Sequence, residues 1–255
     1  MKSNIINLLI ITSLALFSCK GNKGNQQQED QSQKKDSVKM ATTLAFDPAT
    51  LGEEPVFDIN TNVGTIRIKL YKETPKHRDN FVKLASERFY DNILFHRVIN
   101  GFMIQAGDPL TKDTVNAARF GTGGPGYTIQ AEINPKFKHK KGAMAAARRG
   151  DAGNPNRESS GSQFYLVQDA AACSQLDGQY TIFGETISGI NVIDQIASMP
   201  TDRNDRPVSE VKIISVIPVV DGKEVTIAQT PTPVVDANGN PVTPGQQNKP
   251  QQAKK

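Results

Sequence analysis

Phe95-His96-Arg97-Val98-Ile99-Asn100-Gly101-Phe102-Met103-Ile104-Gln105-Ala106-Gly107-Asp108 is the stretch on which the reading of this chain turns. It divides into two short apolar runs joined by Asn100-Gly101, the pair that best tolerates the positive φ angles of a tight hairpin. In extended backbone, residues two apart share a face. Arg97 therefore points away from Val98, while Met103 and Gln105 point together, away from Phe102 and Ile104. Folding the hairpin back places a guanidinium, a thioether and an amide on one face above an apolar floor. A permanent cation among apolar side chains is costly unless a ligand is meant to meet it there.

Working outward, Val56–Thr61 and Thr65–Leu70 alternate in polarity around Asn62-Val63-Gly64, which predicts a first β-hairpin. Thr74-Pro75 reads as N-cap and first helical residue, and Phe81, Leu84 and Ala85 at i, i+3, i+4 predict an amphipathic helix over 75–87. Further strands are expected at 142–147, 161–167, about 180–184 and 208–220. A second helix is expected over 189–198, stopped by Pro200. On the 161–167 strand, Gln163 and Tyr165 share a face. Many short strands with two separated helices suggest a mainly β protein, a closed β-barrel plugged at its ends.

The chain's 255 residues are only 37% hydrophobic, and the shortfall sits at its ends. Residues 1–18 carry a basic start and a short apolar run, the pattern of an export signal too short to span a membrane stably. Residues 19–54 are mostly polar and read as a flexible tether, with some order near Leu44 and Phe46. Residues 221–255 hold five prolines among Gln, Asn and Lys and read as a disordered tail, since neither stretch can bury enough surface to offset its ordering entropy. One folded domain is therefore expected over 55–220.

Several tempting features read as structural. The net charge of +4 is mild, and Lys136, Lys138, Lys140 and Lys141 lack interleaved aromatics apart from Phe137, so a solvated loop is preferred to a nucleic-acid surface. Gly121-Thr122-Gly123-Gly124-Pro125-Gly126 has no Lys-Ser/Thr after it and no helix behind it, so it reads as a tight surface loop and not a phosphate cradle. Cys173 has no histidine close in sequence to activate it and reads as structural. His96 should face away from Arg97 as a hydrogen-bonded structural histidine. His77 and His139 have no metal-ligand spacing, and neither metal nor cofactor is expected.

Phe95–Asp108 resembles the signature of the cyclophilins, a family of peptidyl-prolyl cis-trans isomerases. Ser159-Ser160-Gly161-Ser162-Gln163-Phe164-Tyr165-Leu166 and Leu176–Gly184 resemble two further motifs of the family, in the right order, so the similarity covers 55–220. The resemblance implies an eight-stranded antiparallel β-barrel capped by two α-helices, with the proline site on its outer surface. It implies Arg97 as catalytic arginine, Phe102, Met103, Tyr165 and Leu176 as walls of the proline pocket, and Gln105, Ala147, Arg148 and Gln163 as residues that hold the peptide backbone. Tyr180 stands at a pocket position where many members carry histidine. Gln175 replaces a frequent tryptophan, Tyr165 a frequent phenylalanine, and Arg148 an asparagine of eukaryotic members.

Leu16-Phe17-Ser18-Cys19 resembles a bacterial lipobox, which implies lipidation of Cys19 and an anchored protein of the cell envelope. The expected function is thus catalysed rotation about X-Pro bonds in exported proteins, by a monomer whose partners are proline-containing segments and, through Cys19, a membrane. The alternative is a proline-binding or chaperone module of the same fold without useful catalysis.

Overall fold

A computed structural model describes residues 44–225. Ten strands form one antiparallel sheet: β1 (Val56–Thr61), β2 (Thr65–Leu70), β3 (Arg97–Ile99), β4 (Met103–Ala106), β5 (Thr128–Ile129), β6 (Ala143–Arg148), β7 (Ser159–Val167), β8 (Ile182–Ser188), β9 (Ile213–Val220) and β10 (Lys223–Glu224). Their order is β10-β9-β1-β2-β8-β6-β7-β4-β3, with β5 beside β7. The count exceeds the expected eight because β5 and β10 are two-residue strands that periodicity cannot detect. The helices are α1 (Pro75–Ser86), α2 (Ala170–Cys173) and α3 (Ile190–Ala197). The first and third answer to the two expected; the single turn of α2 was not foreseen.

The helix α1 begins at Pro75 as expected, but the Thr74 side chain makes no cap hydrogen bond. Glu132, far along the chain, supplies the cap instead: its carboxylate accepts from the backbone N–H groups of Lys76 and His77, each at 3.0 Å. A carboxylate there meets both the orphan donors and the positive end of the helix dipole. Phe81 drives α1 into the core, with ring centroids 5.6 Å from Phe57, 4.9 Å from Tyr90 and 5.9 Å from Phe164.

Residues 44–54, assigned above to the tether, pack on the domain in part: Ala45 and Phe46 are buried, and Ala45 N–H donates to the Ser86 carbonyl at 2.7 Å. Phe46 lies 5.8 Å from Phe57, ring to ring. The expected signal segment, Cys19 and the rest of the tether lie outside the described residues, as does the tail beyond residue 225. Among the described residues, no helix is long and apolar enough to cross a membrane.

Period-2 alternation on the strands produces two hydrophobic clusters, one on each face of the same part of the sheet. Val98, Ile104, Ala106, Met144, Ala146, Phe164, Leu166 and Phe183 belong to the large core under α1 and α3. Their neighbours Met103, Ala143, Ala145, Tyr165, Val167 and Ile182 form the smaller cluster, with Ile99, Phe102, Ala147, Leu176 and Tyr180 packed against it. The second cluster is where the site lies.

Candidate active site

Strand register brings the site together. Arg97 on β3 is the direct partner of Gln105 on β4, Gln105 of Tyr165 on β7, and Tyr165 of Ala145 on β6. Directly opposed residues share a face, so these four make one row across the sheet. Ile99, Met103 and Val167 make the row beside it. The β3–β4 connection differs in detail from the expected two-residue hairpin. Phe102 N–H donates to the Ile99 carbonyl at 3.1 Å, and only Gly101 takes a positive φ (75°), the sign pattern of a type II turn. Phe102 thereby becomes part of the loop, half-buried at the edge of the pocket.

The cluster beneath this row is apolar. Met103 is 1% and Tyr165 4% exposed, while Leu176 and Tyr180, on the loop after α2, are half-buried against them. Tyr180 stands edge-on to Tyr165 at 5.9 Å. Cys173 lies beneath, buried, its thiol 3.4 Å from the Phe102 carbonyl and pushed up by burial to about 11, so it stays a thiol. That fits the structural role assigned to it.

The rim is polar. Arg97 is half-exposed, and its Nε lies 3.8 Å from the Asp205 carboxylate across open solvent, an ion pair too exposed to hold it firmly. Gln105 Nε2 donates to Gln163 Oε1 at 3.0 Å. Gln163 Nε2 donates in turn to the carbonyls of Gly121 (3.0 Å) and Gly123 (2.8 Å). Carbonyls only accept, which sets the Gln163 amide with its oxygen towards Gln105. Gln163 thus links Gln105 to the glycine loop.

The glycine loop is pinned from below. Gly121 and Gly123 N–H groups donate to the Asp108 carboxylate at 2.5 and 3.1 Å, and Asp108 is fully buried. A Cβ at Gly123 would fall 2.1 Å from Asp108 Oδ1. The loop does cradle an anion, and that anion is the protein's own carboxylate. The loop is nonetheless the tight surface loop expected, largely exposed along its length, with Asp108 as the anchor that spacing alone did not reveal.

The Arg148 side chain packs on the protein itself. Its guanidinium stacks over the Tyr180 ring at 4.5 Å and donates to the carbonyls of Gln179 and Arg149, each at 3.0 Å, and to the Asp151 carboxylate. The side chain therefore braces Tyr180. Ala147 does line the pocket cluster. His96 is buried and faces away from Arg97 as expected, yet neither ring nitrogen has a hydrogen-bond partner among the described residues. Burial holds it below the ordinary histidine value, against the opposing pull of Asp108. The four loop lysines are each matched to a carboxylate: Lys136 to Glu73, Lys138 to Asp177, Lys140 to Glu185 and Lys141 to Asp194.

A half-exposed cation thus stands beside an apolar cluster on one face of an antiparallel sheet. The chain belongs to the cyclophilin-type peptidyl-prolyl cis-trans isomerases: the family model described as "Cyclophilin type peptidyl-prolyl cis-trans isomerase/CLD" matches residues 56–217. A peptidyl-prolyl cis-trans isomerase-like 1 of Aspergillus fumigatus is 39% identical over 176 residues, which is 68% of this chain and 100% of that protein. A crystal structure of a cyclophilin-type isomerase of Cryptosporidium parvum superposes with a TM-score of 0.58 at 31% identity, covering 66% of this chain and 99% of that one. A second structure of that parasite protein, determined in the presence of the dipeptide Ala-Pro, has a TM-score of 0.55 at 30% identity and covers 63% and 96%. The protein is a peptidyl-prolyl cis-trans isomerase with a mainly antiparallel β, cyclophilin-like fold.

Proposed function

We propose that X-Pro bonds are turned on the outer face of β3, β4 and β7, with Arg97 as the group that lowers the barrier. The row Arg97–Gln105–Tyr165 carries this reading, because it puts a permanent donor at the edge of an apolar pocket. The Ala-Pro present with the parasite relative supports proline-containing segments as the ligand of the corresponding face here.

The uncatalysed rotation takes tens to hundreds of seconds over a barrier of about 18–20 kcal/mol. In the twisted transition state the amide resonance is lost, and the prolyl nitrogen gains a lone pair that accepts a hydrogen bond. Arg97 donates to that nitrogen only in the twisted form, so the interaction stabilises the transition state selectively. Such a charge-assisted bond contributes about 1.5–3 kcal/mol. A turnover of ~10³ s⁻¹ requires about 7 kcal/mol. The remainder comes from Gln105 and the Ala147 backbone, which fix one side of the bond, and from partial desolvation of its carbonyl, while the walls Phe102, Met103, Tyr165 and Leu176 bind the ring.

Beyond the isomerase domain, the sequence of residues 1–19 supports export and lipid anchoring through Cys19, and so a role in folding exported proteins at the cell envelope. The matched relatives cover the isomerase domain and carry no information on this segment. Backbone hydrogen bonds from Asn92 to Ile213, Phe95 to Val211 and Ile213 to Ile93 join the two ends of the strand order and support closure of the sheet into a barrel.

The full chain and its Arg97→Ala variant should be compared for the cis-to-trans rate of an Ala-Pro tetrapeptide and for binding of that peptide. Turnover reduced about 10- to 150-fold with binding retained is expected from the lost hydrogen bond. Unchanged turnover removes Arg97 from the chemistry, and a wild-type domain that binds without turnover makes the protein a proline-binding module. Cys19→Ser should shift the protein from the membrane to the soluble fraction of a lipoprotein-exporting bacterial host; an unchanged partition sinks the anchor.

A further inference from the structure

Behind the Tyr165 wall lies a hydrogen-bond chain, buried at His139 and Tyr165 and part-exposed at Asp177, whose histidine and carboxylate the mechanism above does not use. Asp177 Oδ1 accepts from the His139 backbone N–H at 2.9 Å, and lies 2.7 Å from the His139 ring at Nδ1. The other ring nitrogen, Nε2, lies 2.9 Å from the Tyr165 hydroxyl. The His139 side chain has no exposed surface, and its ring is parallel to that of Tyr165, 5° between planes. Tyr180 closes the group, edge-on to both rings. Asp177 directly follows Leu176 and precedes Tyr180 by three residues, so one loop supplies two pocket walls and the carboxylate behind the third.

The protons can be assigned from donor and acceptor chemistry. An ionised carboxylate only accepts, so Nδ1 carries the proton of a neutral ring and Nε2 is left as an acceptor. The tyrosine hydroxyl must then donate to it. Burial pushes His139 below the ordinary histidine value and so favours the neutral ring, although Asp177 pulls the other way. Burial also raises the Tyr165 hydroxyl far above the ordinary tyrosine value, so it remains a donor. Burial opposes ionisation of Asp177, but the His139 hydrogen bonds hold its carboxyl below the usual range.

We propose that Asp177 and His139 are positioning residues for the isomerase: they tether the hydroxyl of Tyr165, lock the loop carrying Leu176 and Tyr180 to β7, and thereby set the fit of the proline ring. The inference rests on the reading of Tyr165 and Leu176 as pocket walls. The ring stays seated while the other side of the bond rotates, so wall contacts act alike on ground and transition states. Loss of the tether should therefore appear in KM, with kcat little changed. Release of the hydroxyl would leave a buried donor without its partner, a cost that movement of the wall relieves.

The test uses the full chain with His139→Leu, His139→Gln, Tyr165→Phe and the double variant Tyr165→Phe/His139→Leu, assayed for kcat and KM on an Ala-Pro tetrapeptide. His139→Leu should raise KM about 5- to 10-fold with kcat within about twofold. His139→Gln, whose side-chain carbonyl can accept from the hydroxyl, should recover most of that loss. The double variant should cost less than the two single effects combined, because no hydroxyl remains to be stranded. Equal KM in wild type and folded His139→Leu, or Gln as poor as Leu at equal thermal stability, overturns the proposal. Should His139→Leu not fold, the ¹⁵N shift of His139 Nε2 decides: Tyr165→Phe moves it if the hydroxyl donates there, and an unmoved shift is fatal. Met103→Ala and Leu176→Ala separate the two readings. If both raise KM and His139→Leu does not, only the tether fails; if neither does, the pocket assignment falls and takes the tether with it.

Discussion

Arg97 and Met103 stand on the two arms of one hairpin and face the same side of the sheet, yet the molecule holds them by opposite means. Met103 is buried among Tyr165, Val167, Ala143 and Cys173, and packing alone fixes it. Arg97 is half-exposed, with one long and solvent-screened ion pair to Asp205. Its row partner Gln105 is fixed by a polar chain through Gln163 and the glycine loop to the buried Asp108. The difference follows from what each region must do. A pocket that grips a ring needs area and shape, which a close-packed cluster supplies. A rim that donates only to the twisted bond needs hydrogen-bonding groups at fixed positions, and those are held by other hydrogen bonds.

The comparison breaks most visibly on the packed side. Met103→Ala removes a fully buried side chain, and the expected cost is about 2–5 kcal/mol of unfolding free energy by denaturant titration, together with a raised KM. A loss below about 1 kcal/mol would mean that the second cluster is loosely packed and the pocket plastic.

On the polar side, Gly123→Ala is the sharper probe, since its Cβ would displace the loop from Asp108. Releasing Gln163 and then Gln105 should lower kcat up to about 10-fold with KM less affected, a misplacement effect. An unchanged kcat with the loop demonstrably shifted by amide exchange would show that Gln105 does not need its support.

Arg97→Lys keeps the charge but loses the planar fork of donors, and a fall in kcat of about 10-fold is expected. Full activity in the lysine variant would reduce the arginine to a simple point charge.

The last effect is on stability with pH, away from the site's chemistry. The protein's three histidines, His77, His96 and His139, are all held below the ordinary value of 6.5 by burial. Below that value the unfolded chain binds protons that the folded one refuses. Stability should therefore be level above pH about 6.5 and decline as pH falls through 6 towards 5, by at most about 1.4 kcal/mol per pH unit for each histidine. Thermal midpoints at pH 7.5, 6.5 and 5.5 test this; a flat profile would mean that the histidines titrate alike in the folded and unfolded chain, and a rise towards low pH that Glu132 and Asp177 keep their histidines protonated in the fold.

How much of this was legible in the chain depends on distance along it. Alternation assigned Val98 and Ile104 to one face and Arg97, Met103 and Gln105 to the other, because side-chain direction in a strand is set by local backbone geometry. The helix at Pro75 and the one ending before Pro200 were legible for the same reason. The site residues came mostly from resemblance to a family, and the intramolecular side-chain contacts of Gln163 and Arg148 were not legible, because their partners lie on separate loops.

The sequence by itself determined the strands, their faces, the two main helices and the identity of the residues that could do chemistry, all of which depend on neighbours a few positions apart. The tertiary structure decided which of those residues meet. Gln105 finds Gln163 across 58 positions, His139 finds Asp177 across 38, and Glu132 caps a helix 55 positions before it. The Gln105–Gln163 pairing follows from strand register, since a slip of one residue would turn either side chain to the other face, while Glu132, His139 and Asp177 lie on loops whose meeting depends on where the assembled sheet carries them.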